Sequence, residues 1–117
     1  MKTNSLLIYQ KYTELFYYTY DLLKKYPKSE TFTLAAEIKN NLFKGHKLLM
    51  YAMKIYSSKD KIKYLNELDI SLSLLKFQIR LSFKYKYITN QNYETWANHV
   101  SEVNNMLGGW INSCLKR

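Results

Sequence analysis

Chain breakers are nearly absent from these 117 residues. There is one proline, Pro27, and there are three glycines. That scarcity excludes a fold of many short strands joined by tight turns and favours long helices. A single cysteine, Cys114, excludes an internal disulfide and points to a reducing compartment. Long apolar runs are missing too. The patch Leu6-Leu7-Ile8 is too short for the hydrophobic part of a signal peptide and far too short for a membrane span. The chain therefore reads as soluble and cytoplasmic. Acidic residues are few, 9 against 18 basic ones, and the net charge of +9 favours a polyanionic partner.

Recognisable catalytic chemistry is also missing. A di-iron carboxylate bundle needs Glu-x-x-His pairs, yet neither His46 nor His99 has a glutamate three residues before it. No Cys/His cluster has zinc-ligand spacing, and no glycine-rich phosphate loop follows a strand. The expectation is a protein without enzymatic activity, metal or cofactor, with both histidines at the surface or rim.

What is present is helical periodicity. Pro27 disfavours the helical region at the residue before it and ends a first segment. Ser29 can cap a second, Ser57, Ser58 and Asp60 a third, and Thr89 and Asn90 a fourth. The expected helices are about 4–26, 29–56, 60–87 and 90–115, each running about 35–40 Å. Short links between helices of similar length predict an all-α, up-down-up-down antiparallel four-helix bundle, formed as one domain over 1–117. Seams stepping by three and four support it: Ala35, Ile38, Leu42, Gly45, Leu49, Ala52 and Tyr56 in the second helix, and Leu65, Leu68, Leu72, Leu75 and Ile79 in the third.

Two helices carry more apolar surface than one seam needs. In the third, Ile70, Leu74, Phe77 and Leu81 fall on nearly the opposite face. In the fourth, Trp96, Val103 and Trp110 lie seven apart beside the seam. Either such wide stripes are shared among neighbouring helices, or a second subunit covers them; the sequence favours the second, since monomers rarely expose such faces. Gly108 and Gly109, inside the helical spacing of the fourth segment, read as a place where another backbone or a large ring comes close.

Charge is uneven as well. Residues 28–58 hold five lysines and two glutamates, and 59–88 hold seven basic and three acidic groups. From 89 to 115 there is no Lys or Arg. Lys44, Lys47 and Lys54 lie away from the second helix's seam, and Lys76, Arg80 and Lys84 form a ridge with steps of four. Lys59, Lys61 and Lys63 cluster near the turn between these helices. These nine are the candidate contacts for the phosphates of RNA or DNA, against the plainer reading of a solvated lysine face. Among twelve tyrosines, Tyr17, Tyr18 and Tyr20 crowd the first helix, where exposed rings can stack on bases but more often complete a bundle.

Two stretches resemble a known family. "KYPKSETFTLAAEI", from Lys25 to Ile38, is similar to the segment joining its first two helices. "ITNQNYETWANHVSEVNNMLGGWINS", from Ile88 to Ser113, resembles its last helix, with the Met-Leu-Gly-Gly-Trp signature at Met106 to Trp110. The family is the four-helix accessory proteins of diversity-generating retroelements, known as Avd. A sister group is encoded in ribosomal-RNA intervening sequences, and that type is the alternative reading. The resemblance implies a barrel-shaped homopentamer that is basic, binds nucleic acid, partners a reverse transcriptase and has no catalytic residues. Arg80 matches a position where the family usually has a basic residue. Thr31, Asn104 and Asn105 stand where it often has other residues, two of them arginines, so the lysines of the second and third helices become the candidates for those contacts.

Overall fold

The computed structural model describes residues 3–116, with side chains from Ser5 onward. Four helices make the fold: α1 (Thr3–Leu23), α2 (Leu34–Lys54), α3 (Ser58–Lys84) and α4 (Asn90–Leu115). Each packs on its neighbours in sequence, and α4 closes back on α1, so the four form a square around one core. The molecule extends 46 × 25 × 19 Å. No helix among the described residues is long and apolar enough to cross a membrane.

Local chemistry sets the ends. Ser57 Oγ accepts from the Asp60 N–H at 3.4 Å and Thr89 Oγ1 from the Asn92 N–H at 3.1 Å, capping α3 and α4 as their spacing predicts. Ser29 does not cap α2. Pro27 instead leads into a 3-10 turn at Lys28–Glu30, and α2 begins only at Leu34. The missing cap is replaced by Glu30, whose Oε1 accepts from Thr33 Oγ1 at 2.7 Å and from the Leu34 N–H at 3.4 Å. Its Oε2 accepts from Tyr87 Oη at 3.1 Å, tying this corner to the α3–α4 connection. These bonds, Thr33 first, hold the Glu30 carboxyl below its ordinary value.

The expected third helix runs to 87, but α3 stops at Lys84. The Tyr87 N–H bonds Ser82 O at 2.9 Å and the Lys86 N–H bonds Phe83 O at 3.0 Å, the two bonds of a Schellman motif. Its left-handed position, usually glycine, is Lys86 with φ 63°.

The core is formed by the expected seams and by polar pairs that fix their register; Tyr56, expected in the second seam, lies beyond the end of α2, where Ile55 is extended, and is exposed. Tyr12 Oη donates to Leu42 O at 2.8 Å, and burial pushes its phenol far up. Asn41 Nδ2 donates to Ser71 O at 3.0 Å and Gln78 Oε1 at 3.2 Å, while Ser71 Oγ donates to Asn41 Oδ1 at 2.7 Å. Tyr26 Oη donates to Ser82 Oγ at 2.6 Å, and burial raises it to about 12. Each buried polar group so satisfied avoids a desolvation cost of about 1–3 kcal/mol.

On α4 the buried residues are Trp96, Val100, Val103, Leu107 and Cys114, so part of the stripe expected beside the seam lies in the core. Trp96 and Val103 are fully enclosed, and Trp96 Nε1 donates to Thr19 Oγ1 at 2.8 Å. They are core residues and present nothing to a second subunit; the wide stripe is shared between α1 and α3. Gly108 and Gly109 are exposed, with no atom within 4 Å of a Cβ added at either, so no close approach occurs there within the subunit. The close approach is at Gly45. A Cβ there would collide with Tyr12 Oη and meet Tyr12 Cζ at 3.1 Å and Ser71 Oγ at 3.2 Å.

Candidate nucleic-acid interface

The nine basic candidates fall into three groups rather than one patch. Lys44, Lys47 and Lys54 are exposed on α2. Lys59, Lys61 and Lys63 occupy the first turns of α3, with Lys61 half-buried. Lys76, Arg80 and Lys84 climb the last turns of α3 on the side that faces α4. Among the described residues none of the nine joins an ion pair. The pairs present are Lys11 with Glu102 at 3.1 Å and with Glu14 at 3.7 Å, and Lys24 with Asp21 at 3.4 Å. The hydrogen bond and charge of Glu102 raise the Lys11 ammonium above its ordinary value, so one of α4's two glutamates is already partnered. Nine cations without carboxylates are free to exchange their counterions for phosphates.

Several lysines lean on rings. Lys61 Nζ lies 5.5 Å from the centre of the half-buried Trp110, Lys63 5.8 Å from Tyr64, and Lys84 5.9 Å from Tyr85. Such contacts are worth about 0.5–1 kcal/mol at exposed sites and leave the charge in place. Ring and cation are therefore presented together.

The second stripe of α3 is exposed as its spacing predicts. Ile70, Leu74 and Phe77 are 70%, 46% and 52% accessible, while Leu81 is half-buried. It runs along the outer face of α3, nearly opposite the buried seam, while Ser71 and Gln78 mark the side toward α2 and Lys76 and Arg80 the side toward α4. One helix thus carries an apolar strip and a cationic ridge side by side.

Two features escaped sequence reasoning. The first is an aromatic strip in the groove between α1 and α2. The Phe16 ring meets Phe43 at 5.1 Å and Tyr20 at 5.8 Å, with Lys39 Nζ 5.0 Å over Tyr20. His46 belongs to the same strip, 5.5 Å from Tyr9 and hydrogen-bonded to its hydroxyl at 3.3 Å. His99 packs on Tyr18 at 5.1 Å. Both histidines are half-buried and pack against tyrosine rings; no group of three metal-ligating side chains occurs among the described residues.

The second is a pocket of about 190 Å3 between α3 and α4. Ile79 and Val100 form its floor, and Lys76 and Arg80 stand on the α3 side. Tyr93, Ala97 and Ser101 form the α4 side. Phe83 stacks on Tyr93 at 4.6 Å with the planes 19° apart. The only sequence signal for it is a small residue, Ala97, on a helix face otherwise lined by large ones.

The comparisons agree with this picture of a four-helix bundle. A protein of unknown function from the S23 ribosomal protein family of Bacteroides thetaiotaomicron has the same fold, with a TM-score of 0.85 at 21% identity, covering 94% of this chain and 99% of that one. No curated protein matches the chain. A family model described as bAvd-like matches residues 6–114, so it takes in all four helices and both signature stretches. On that match the chain belongs to the bAvd-like family, the accessory variability determinants whose inter-helix and Met-Leu-Gly-Gly-Trp motifs it carries.

Proposed function

We propose that this protein is a non-catalytic accessory subunit of a diversity-generating retroelement. Its basic surface holds template RNA or the cDNA copied from it, and it associates with a reverse transcriptase during mutagenic retrohoming. The observation that carries the reading is the set of nine cations without carboxylate partners among the described residues, with the Lys76–Arg80–Lys84 ridge at its clearest. Family membership over residues 6–114 supports the retroelement context. The mechanism is scaffolding: phosphates displace counterions from the ridge, and the protein keeps the nucleic acid beside the polymerase.

The exposed strip of Ile70, Leu74 and Phe77 supports a self-associated form, a barrel-shaped homopentamer. A cyclic assembly uses two different patches per subunit, so the strip packs on another surface of the next copy. The outer face of α4, with no basic residue and with open space at Gly108 and Gly109, suits that role. Reconstitution tests the whole proposal. The reverse transcriptase encoded beside this gene, given its template RNA, should yield more cDNA with this protein than without it, and the two proteins should co-purify. Equal cDNA yield and no co-purification would overturn the reading.

A further inference from the structure

We infer that the pocket between α3 and α4 takes one unpaired nucleotide, its base against Tyr93 over the Ile79–Val100 floor and its phosphate on Lys76 and Arg80. The inference rests on the nucleic-acid reading above and sharpens it, because a lysine ridge alone does not tell single strands from duplex.

Size, chemistry and charge each support it. At about 190 Å3 the pocket is below the roughly 300–1,000 Å3 of sites for drug-sized molecules, which suits a single ring system rather than a large cofactor. Its floor is aliphatic and its wall is a tyrosine whose ring is braced by Phe83, so the platform is held before a base arrives. Lys76 and Arg80, one turn apart on the same side, have no carboxylate partner among the described residues. The guanidinium of Arg80 offers paired donors to phosphate oxygens, and Lys76 supplies a point charge. The facing helix contributes no positive charge and a serine hydroxyl at Ser101. A base within a duplex is paired and stacked, so reaching the pocket costs it a few kcal/mol that an unpaired base does not incur.

The test fills the pocket without touching its charge. Ala97→Leu places branched carbon in the cavity, and Ser101→Met, at an exposed position, narrows it with less demand on packing. The probes are a short oligouridylate, an RNA duplex of equal phosphate number, and adenosine monophosphate alone, all added to the full chain. Stacking of one base is worth about tenfold in affinity. Both variants should lose about that factor for oligouridylate and leave duplex binding unchanged. Adenosine monophosphate should shift the Tyr93 and Val100 amide resonances of the wild type and not those of the variants. If the wild type binds RNA but both variants keep its preference between the two RNAs, the pocket is wrong and the nucleic-acid reading survives. If the wild type binds neither RNA, that reading fails, and the mononucleotide shifts decide the pocket: their absence overturns it and their presence upholds it.

Discussion

Replacing Gly45 with alanine adds one methyl group to the middle of α2. Helix propensity alone predicts a gain of about 1 kcal/mol. The packing predicts a loss. The new Cβ would run into Tyr12 Oη, with Tyr12 Cζ at 3.1 Å and Ser71 Oγ at 3.2 Å. Tyr12 is enclosed and cannot swing into water, and its hydroxyl holds Leu42 O at 2.8 Å. Overpacking a tight site costs about 1–3 kcal/mol. Pulling a buried hydroxyl off its acceptor costs about 1–3 kcal/mol more. Set against the propensity gain, the net is a destabilisation of about 3 kcal/mol. Unfolding entropy of about 2.1 cal/mol/K per residue makes that a fall of roughly 12 °C in Tm for a chain of this length. Thermal denaturation followed by circular dichroism at fixed protein concentration measures it. Tyr12→Phe removes the colliding oxygen, so Gly45→Ala should cost at least about 1 kcal/mol less in that background. A Gly45→Ala variant as stable as wild type, or one whose cost is unchanged by Tyr12→Phe, refutes the reasoning.

Lys86→Gly relieves a left-handed residue in the Schellman motif that ends α3 and should stabilise the protein by about 0.5–1 kcal/mol in urea denaturation, since the strain removed exceeds the entropy glycine adds to the unfolded chain. Stability should hold steady up to about pH 10 and then fall as pH rises toward 12. Over that range the unfolded chain ionises at Tyr26 while the folded one, with its phenol raised to about 12, does not, and Tyr26→Phe should make the fall shallower. Ile70→Glu with Phe77→Glu should reduce the oligomer to monomer in light scattering while leaving helix content intact, as both side chains face solvent within the subunit. Gly109→Leu meets nothing within its own subunit; it should therefore raise monomer stability while weakening assembly, and an unaltered oligomer would remove that face from the interface.

The bundle was legible in the sequence because its punctuation and periods agree. Ser57 and Thr89 stand where caps were expected, and apart from Tyr56, which falls past the end of α2, the expected seams of α2 and α3 are buried. The end of α3 was not legible. A left-handed lysine does the work usually given to glycine, and nothing in the local sequence marks it. Ser29 failed as a cap because Pro27 favours a 3-10 turn first, and a glutamate from that turn then serves α2. Trp96 and Val103 were misplaced for a geometric reason. A helix wedged between two neighbours buries more than one seam, and Trp96 satisfies its N–H on Thr19, a partner 77 residues away that periodicity does not reveal. Gly45 hid inside an ordinary seam, while Gly108 and Gly109 drew attention by standing together. What distinguishes them is a tyrosine from another helix, visible only once the chain is folded. The candidate interface was legible as charge counts and ridges. Its pocket was not, because it belongs to two helices at once.

The central claim is that an unpaired cationic ridge binds nucleic acid, and the salt dependence of RNA affinity tests it most directly. For a single strand the logarithm of the affinity falls with the logarithm of salt by about 0.7 for each phosphate neutralised. Changing Lys76, Arg80 and Lys84 together to Gln should therefore make the slope shallower by about 2 and weaken binding at low salt. A slope identical to that of the wild type, or a wild type whose affinity ignores salt, would contradict the account.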